Sequence, residues 1–182
     1  MNEKVTLYHG SYCAVEHPDL AFCSNAKDFG RGFYLTTNEI QARNFVKTSI
    51  KKAASRGVYF SDHGRGFVNV YECVLDNSLQ TFTFENADLS WLHCVAAHRS
   101  EGVFPGEVEK WRSYDLICGK IANDKTNTVI SAYIDGLYGP VESDRAGEIA
   151  IGFLEPENLV DQWCFRSVKA LGCLKFVKAV RL

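Results

Sequence analysis

The sequence predicts an α+β fold, and three observations carry that reading. Short apolar or aromatic runs bounded by glycine, aspartate or asparagine have the character of strands. Longer stretches with apolar residues three and four apart have the character of amphipathic helices. The two kinds do not follow one another in the regular strand–helix–strand order of a parallel sheet. At 182 residues, 46% of them hydrophobic, the chain is long enough for one full core, and it contains no repeat, low-complexity tract or linker. A single domain over 1–182 follows.

In order, Val5 to His9 reads as a strand that Gly10 ends, and Ser11 to Phe29, with Pro18 and little periodicity, as a long surface loop of the kind that carries function. Gly30 and Gly32 then let the backbone turn tightly before a short strand over Phe33 to Thr36. Thr36 with Glu39 has the spacing of a capping box for a helix whose inward face is Ala42, Phe45, Val46, Ile50 and Ala53, with Arg43, Lys47, Lys51 and Lys52 in water. Gly57 to Gly66 reads as a flap. Phe67 to Leu75 is apolar on both alternations and is expected at the centre of a sheet, with Leu79 to Phe84 as its neighbour across an Asp76–Asn77 turn. A helix over Asp88 to Arg99 turns Leu89, Leu92, Val95 and Ala96 inward, and Tyr114 to Gly119 is a buried strand. Asn123–Asp124 starts a helix with the stripe Val129, Ile130, Tyr133, Ile134 and Leu137, and a further helix covers Ala146 to Leu154, stopping near Pro156. Asp161 to Phe165 and Phe176 to Val180 close the chain as strands. The total is six or seven strands and three or four helices.

Composition narrows the function. A formal net charge of −2 gives no broad attraction to nucleic acid or an acidic membrane, so such a partner would need a local patch. Seven cysteines form no Cys-x-x-Cys pair, and several sit in apolar runs such as Leu116-Ile117-Cys118. That suits free thiols in a reducing, cytoplasmic setting better than a disulfide framework or a zinc site. No signal core follows Met1, and no apolar run approaches the ~18 residues of a membrane span.

Several motifs are weighed and set aside. Asp28-Phe29-Gly30 matches the kinase magnesium tripeptide, yet neither a Gly-rich loop nor a His-Arg-Asp loop precedes it. Gly30-x-Gly32 lacks the third glycine and the following helix of a dinucleotide fingerprint. His93 and His98 point apart on their helix, so no metal site is predicted. Asp62–His63 has the chemistry of an acid–base pair, although a glycine-flanked loop more often leaves it in solvent. Two strand-borne rings remain: His9, ending Leu7-Tyr8-His9-Gly10-Ser11, and Tyr34, following Gly30-Arg31-Gly32-Phe33. Alone, each is as readily a satisfied strand residue as a ligand contact.

Together these stretches carry a resemblance. Leu7-Tyr8-His9-Gly10-Ser11 resembles the Leu-Trp-His-Gly-Ser signature of poly-ADP-ribose polymerase-type catalytic domains, and Gly30-Arg31-Gly32-Phe33-Tyr34-Leu35-Thr36 resembles their Gly-x-Gly-Ile-Tyr-Phe-Ala, in the same order. Lys27 to Thr37 with Gln41-Ala42, Tyr114 to Gly119 leading into Ala122-Asn123-Asp124, and Asp161 to Phe165 ahead of Ala170-Leu171 are similar to a bacterial domain family of formerly unknown function grouped with the ADP-ribosyltransferases. The likeness covers nearly the whole chain. It implies an ADP-ribosyltransferase-like fold: two small, mainly antiparallel sheets forming an NAD cleft, with peripheral helices.

By the same resemblance, NAD is the co-substrate and no metal is needed. His9 would bond a ribose hydroxyl, the Gly10 backbone would clamp the nicotinamide amide, and Tyr34 would stack on the nicotinamide ring. Ser11, Asp28, Gly30, Arg31 and Gly32 fall among the cofactor-binding positions. The third catalytic position, a glutamate in many members, falls on Gln162, which brings no negative charge and cannot act as a base. The expected activity is transfer of ADP-ribose to an unidentified macromolecular acceptor, as in the toxin of a toxin–antitoxin or defence system, with an antitoxin as partner. An NAD glycohydrolase, or a non-catalytic module that binds NAD or ADP-ribose, stands beside it.

Overall fold

A computed structural model describes residues 4–58, 65–121, 124–155 and 159–182, the side chains of 124 and 125 excepted. Among these residues seven strands form two open sheets, and six α-helices pack around them. The first sheet has the order β1 (Lys4–Ser11), β3 (Phe67–Val74), β7 (Leu174–Arg181), all antiparallel. β3 is central because it is apolar on both faces, its residues 68–71 being buried.

The second sheet has the order β2 (Phe33–Leu35), β6 (Asp161–Phe165), β5 (Leu116–Lys120), β4 (Thr81–Thr83), antiparallel except for the β4–β5 pair. Here an expectation fails. The Leu79 to Phe84 stretch does not neighbour β3; it crosses to the other sheet and lies parallel to β5. The Asp115 carboxylate accepts from the Gln80 amide at 2.9 Å and the Gln80 carbonyl accepts from the Asp115 amide at 2.8 Å, which ties it there.

Among the described residues the two sheets are bridged at one place. Tyr8 and Thr36 exchange main-chain hydrogen bonds of 2.8 and 3.0 Å, the single bridge by which β1 touches the end of β2. Behind this seam lies a core shared by both sheets, with Leu7, Tyr71 and Cys73 from the first and Phe33, Leu35, Leu116 and Phe165 from the second. A second, larger core fills the far face of the second sheet, where Phe29, Ile117 and Cys164 meet Trp91 and Leu92 of α2 (Leu89–Arg99), Ile130 and Tyr133 of α4 (Asp124–Ile134) and Ala150 of α5 (Asp144–Leu154).

The helix after β2, α1 (Glu39–Ser55), buries Ala42, Val46 and Ala53 as predicted, but its cap differs. Asn38, two residues past Thr36, accepts the Gln41 amide at 3.0 Å, and Thr36 Oγ1 accepts from the Asn38 amide instead. Glu39 turns outward to Arg43 at 2.7 Å. Asparagine's short amide suits the cap geometry, so the helix starts there. The Ser11 to Phe29 loop contains a 3₁₀ turn over Leu20–Phe22.

Two short helices, α3 (Glu107–Trp111) and α6 (Val168–Leu171), raise the helix count above the expected three or four, and Leu137 lies beyond the end of α4, 71% exposed. The Asp62–His63 pair and Pro156 lie outside the described residues.

Candidate functional site

His9 occupies the last turn of pleat in β1, opposite Asn69 of β3. Its Nδ1–H donates to the Tyr34 carbonyl at 2.7 Å, and its ring lies 4.5 Å from that of Phe33. Because a carbonyl only accepts, the bond fixes the tautomer: Nδ1 carries the proton and Nε2 keeps its lone pair. Burial, aided by the positive charge of Lys27 and opposed by the bond to Tyr34, lowers the His9 pKa to about 4. At neutral pH His9 is therefore an uncharged acceptor.

The Tyr34 ring points to the opposite face of β2 from Phe33. Its hydroxyl donates to the Gly30 carbonyl at 2.7 Å and accepts from the Phe29 amide at 3.0 Å, so it closes the turn that carries Asp28. Burial and the neighbouring Cys164 and Asp28 push the phenol well above its ordinary pKa, which keeps it protonated. Its role is that of a neutral ring with both hydroxyl valences used.

Gln162 lies on the same face as Tyr34, two residues before Cys164, which pairs with Tyr34 in register. It is 4% exposed, and its amide donates to Asp28 Oδ2 at 2.8 Å and to the Lys120 carbonyl at 2.9 Å. Both amide hydrogens are thereby engaged, and Oε1 is the acceptor of the side chain. Asp28 in turn accepts from Arg99, by Nε at 2.9 Å and by NH2 at 2.5 Å, and Arg99 reaches Asn127 Oδ1 at 2.6 Å. A chain Gln162–Asp28–Arg99–Asn127 thus links β6, the turn before β2, α2 and α4.

The glycines have packing reasons of their own. A Cβ on Gly10 would fall 2.0 Å from the Ala42 carbonyl of α1, and one on Gly32 would fall 2.4 Å from Cys164 Sγ. Gly30 has φ +75°, and a Cβ there would meet His98 at 2.6 Å. Ser11 is buried, its hydroxyl accepting from the Cys13 amide at 3.4 Å. Arg31 is exposed and donates to the Leu20 carbonyl at 2.9 Å, clamping the 3₁₀ turn to the glycine turn.

The structure therefore brings His9 to the Tyr34 main chain, and Asp28 to Gln162, with Gly30 between the two groups. Arg99 and Asn69 were not singled out from sequence. Asn69 is fully buried, takes the Val15 amide on Oδ1 at 2.8 Å and donates to the His9 carbonyl at 3.2 Å, anchoring the loop after β1. An asparagine inside the apolar run Phe-Val-Asn-Val-Tyr was its signal. Nothing in sequence joins Arg99 to Asp28, which is 71 positions away.

A cavity of about 270 Å³ opens on the other face of the second sheet, against Thr81, Thr83, Cys118, Lys120 and Trp163; His9, Tyr34 and Gln162 do not line it. Among the described residues no group of histidine, cysteine or carboxylate side chains is arranged to hold a metal ion, and no helix is long and apolar enough to cross a membrane.

Fold and site together define an α+β protein with two mainly antiparallel sheets joined at a histidine-bearing seam. A model of the family described as "Protein of unknown function (DUF3990)" matches residues 5–176, and the chain belongs to that family. Comparison with curated proteins finds no match.

Proposed function

We propose that this protein is an NAD-dependent ADP-ribosyltransferase of the poly-ADP-ribose polymerase-like superfamily, transferring ADP-ribose to a macromolecular acceptor and releasing nicotinamide, as the toxin partner of an antitoxin. The observation that carries the reading is His9, kept neutral by burial and oriented by the Tyr34 carbonyl at the seam of the two sheets, with Nε2 left to accept from a donor. A ribose hydroxyl is such a donor. Tyr34, locked through its hydroxyl, is the ring that would stack on the flat nicotinamide.

Gln162 has a definite task in this scheme. Loss of nicotinamide leaves positive charge on the ribose, and the site must supply an acceptor that gains strength as that charge grows. The Asp28 carboxylate, bonded to the Gln162 amide nitrogen, polarises the amide so that Oε1 is more negative than in an isolated glutamine. A ribose hydroxyl bonded to Oε1 would then be held by a charge one bond removed. No base is needed to ionise the leaving group, since nicotinamide departs neutral.

The test is incubation with labelled NAD and cell extract, following nicotinamide and macromolecular label. Wild type is expected to produce both, and His9→Ala and Tyr34→Ala to fall by ~100-fold or more. Equal turnover in all three removes the assignment. A second reading, a module that binds NAD without turning it over, is favoured by the engagement of both Gln162 amide hydrogens inside the fold. Measurable NAD affinity with no nicotinamide release from wild type or Gln162→Glu selects it.

A further inference from the structure

The cavity of about 270 Å³ on the second sheet stands apart from the group formed by His9, Tyr34 and Gln162, and strand register says how it is built. Thr81 lies beside Leu116, Thr83 beside Cys118 and Cys118 beside Trp163, with Lys120 opposite Asp161 one row further on. Successive strand residues point to opposite faces, so Gln162 turns away from the cavity that its neighbours Asp161 and Trp163 line. Whatever occupies this cavity therefore does not depend on the transferase reading.

The floor is apolar and the rim is polar. Leu116 is buried and Trp163 half-buried, whereas Thr81, Thr83 and Glu85 are exposed at the edge. Lys120 can only donate, the carboxylates of Asp161 and Glu85 only accept, and the threonine hydroxyls do either. Asp161 is held in place from the β2 side: it accepts from the Thr37 hydroxyl at 2.6 Å, the Thr37 amide at 3.2 Å and the Thr36 hydroxyl at 3.3 Å. A carboxylate has roughly four acceptor positions, so capacity remains. Although Lys120 faces it in register, the two form no ion pair.

This rim discriminates among ligands. A phosphate or carboxylate brings acceptors alone and meets Asp161 and Glu85 as like charges, and an ammonium meets Lys120 as one. A hydroxyl both donates and accepts, so a ring that carries several satisfies every rim group without conflict. A nucleobase also carries both functions, but along an edge. Here the threonines of β4 and Asp161 of β6 flank the floor from two sides, two strand spacings or about 10 Å apart. The volume lies below the ~300–1,000 Å³ of pockets for drug-sized ligands, which leaves room for one ring. We propose that this cavity binds a single neutral sugar ring, its hydroxyls on Lys120, Asp161 and the β4 threonines and its C–H surface on Leu116 and Trp163.

The test is ligand-observed NMR titration with methyl glucoside, methyl galactoside, methyl mannoside and ribose, and with adenosine and benzoate for comparison. At least one sugar is expected to saturate the protein with a Kd of ~1–10 mM that is the same at low and high salt. Lys120→Met and Thr83→Val should weaken it about fivefold or more, and Lys47→Gln on the exposed face of α1 should not. Lys120→Met keeps the main-chain carbonyl that Gln162 uses, and Glu85→Gln, on the exposed rim, reads the site should either of the others lower the urea midpoint. Absence of saturable binding by every sugar overturns the proposal, as does sugar binding that the cavity variants leave intact. Adenosine or benzoate binding more tightly than any sugar, and lost in the same variants, overturns the ligand class.

Discussion

His9 couples local chemistry to stability. In the unfolded chain its imidazole titrates near 6.5, and in the folded protein near 4. Between these values the unfolded state binds a proton that the folded state does not, so stability rises with pH across that window. The contribution is present in full above about 6.5 and is lost as pH falls towards 4. His93 and His98 are shifted in the same direction, by burial first, and add to the slope. Replacing His9 with glutamine, which can still donate to the Tyr34 carbonyl but does not titrate, should flatten the acid limb without removing it. Urea midpoints from pH 7.5 down to 4.5 measure this, and an identical slope in His9→Gln would mean that the ring is not desolvated as described. The same residue marks how far sequence carries at this scale: a strand-end histidine was visible, but its tautomer depends on a carbonyl 25 positions away.

At the scale of elements, Gly10 is where strand and helix compete for space. The Ala42 carbonyl lies 2.0 Å from where its Cβ would stand, with Val46 behind it at 3.3 Å, and backbone cannot give as a side-chain end can. Gly10→Ala should therefore cost roughly 1–3 kcal/mol or more through displacement of α1. Chemical denaturation would show it, and a neutral result would mean that α1 does not sit on β1. A loss of NAD binding in that variant would consequently reflect packing as well as any contact to nicotinamide. Elements with long internal patterns were legible: β3 by its two apolar faces, and α1 by its stripe. Those without were not. β4 is Thr-Phe-Thr, too short to encode which sheet it joins, and α3 is five residues entered through Gly106 at φ +86°, in a stretch with no element predicted from sequence. The Thr36–Glu39 spacing was a true capping pattern outcompeted by a better cap two residues on.

For the whole molecule, the shared core decides whether two sheets joined by one bridge behave as one unit. Leu7 is fully buried there, on β1, among residues of β2, β5 and β6 as well as β3. The site depends on this, because His9 and the Tyr34 carbonyl come from opposite sides of the seam and a 2.7 Å bond does not survive relative drift of the sheets. Leu7→Ala removes buried apolar volume and should cost roughly 2–5 kcal/mol. The three tryptophans report on the second sheet's half, Trp91 and Trp111 in the helical core and Trp163 on β6. Far-UV circular dichroism reports on all elements. If the shared core couples the halves, the fluorescence and dichroism transitions of Leu7→Ala shift to lower denaturant together and by the same amount, although the mutation is on the first sheet. A dichroism transition that moves while tryptophan fluorescence keeps its wild-type midpoint would show that the sheets unfold separately, and a cleft built across the seam would then lack the rigidity that a ligand site of this kind requires.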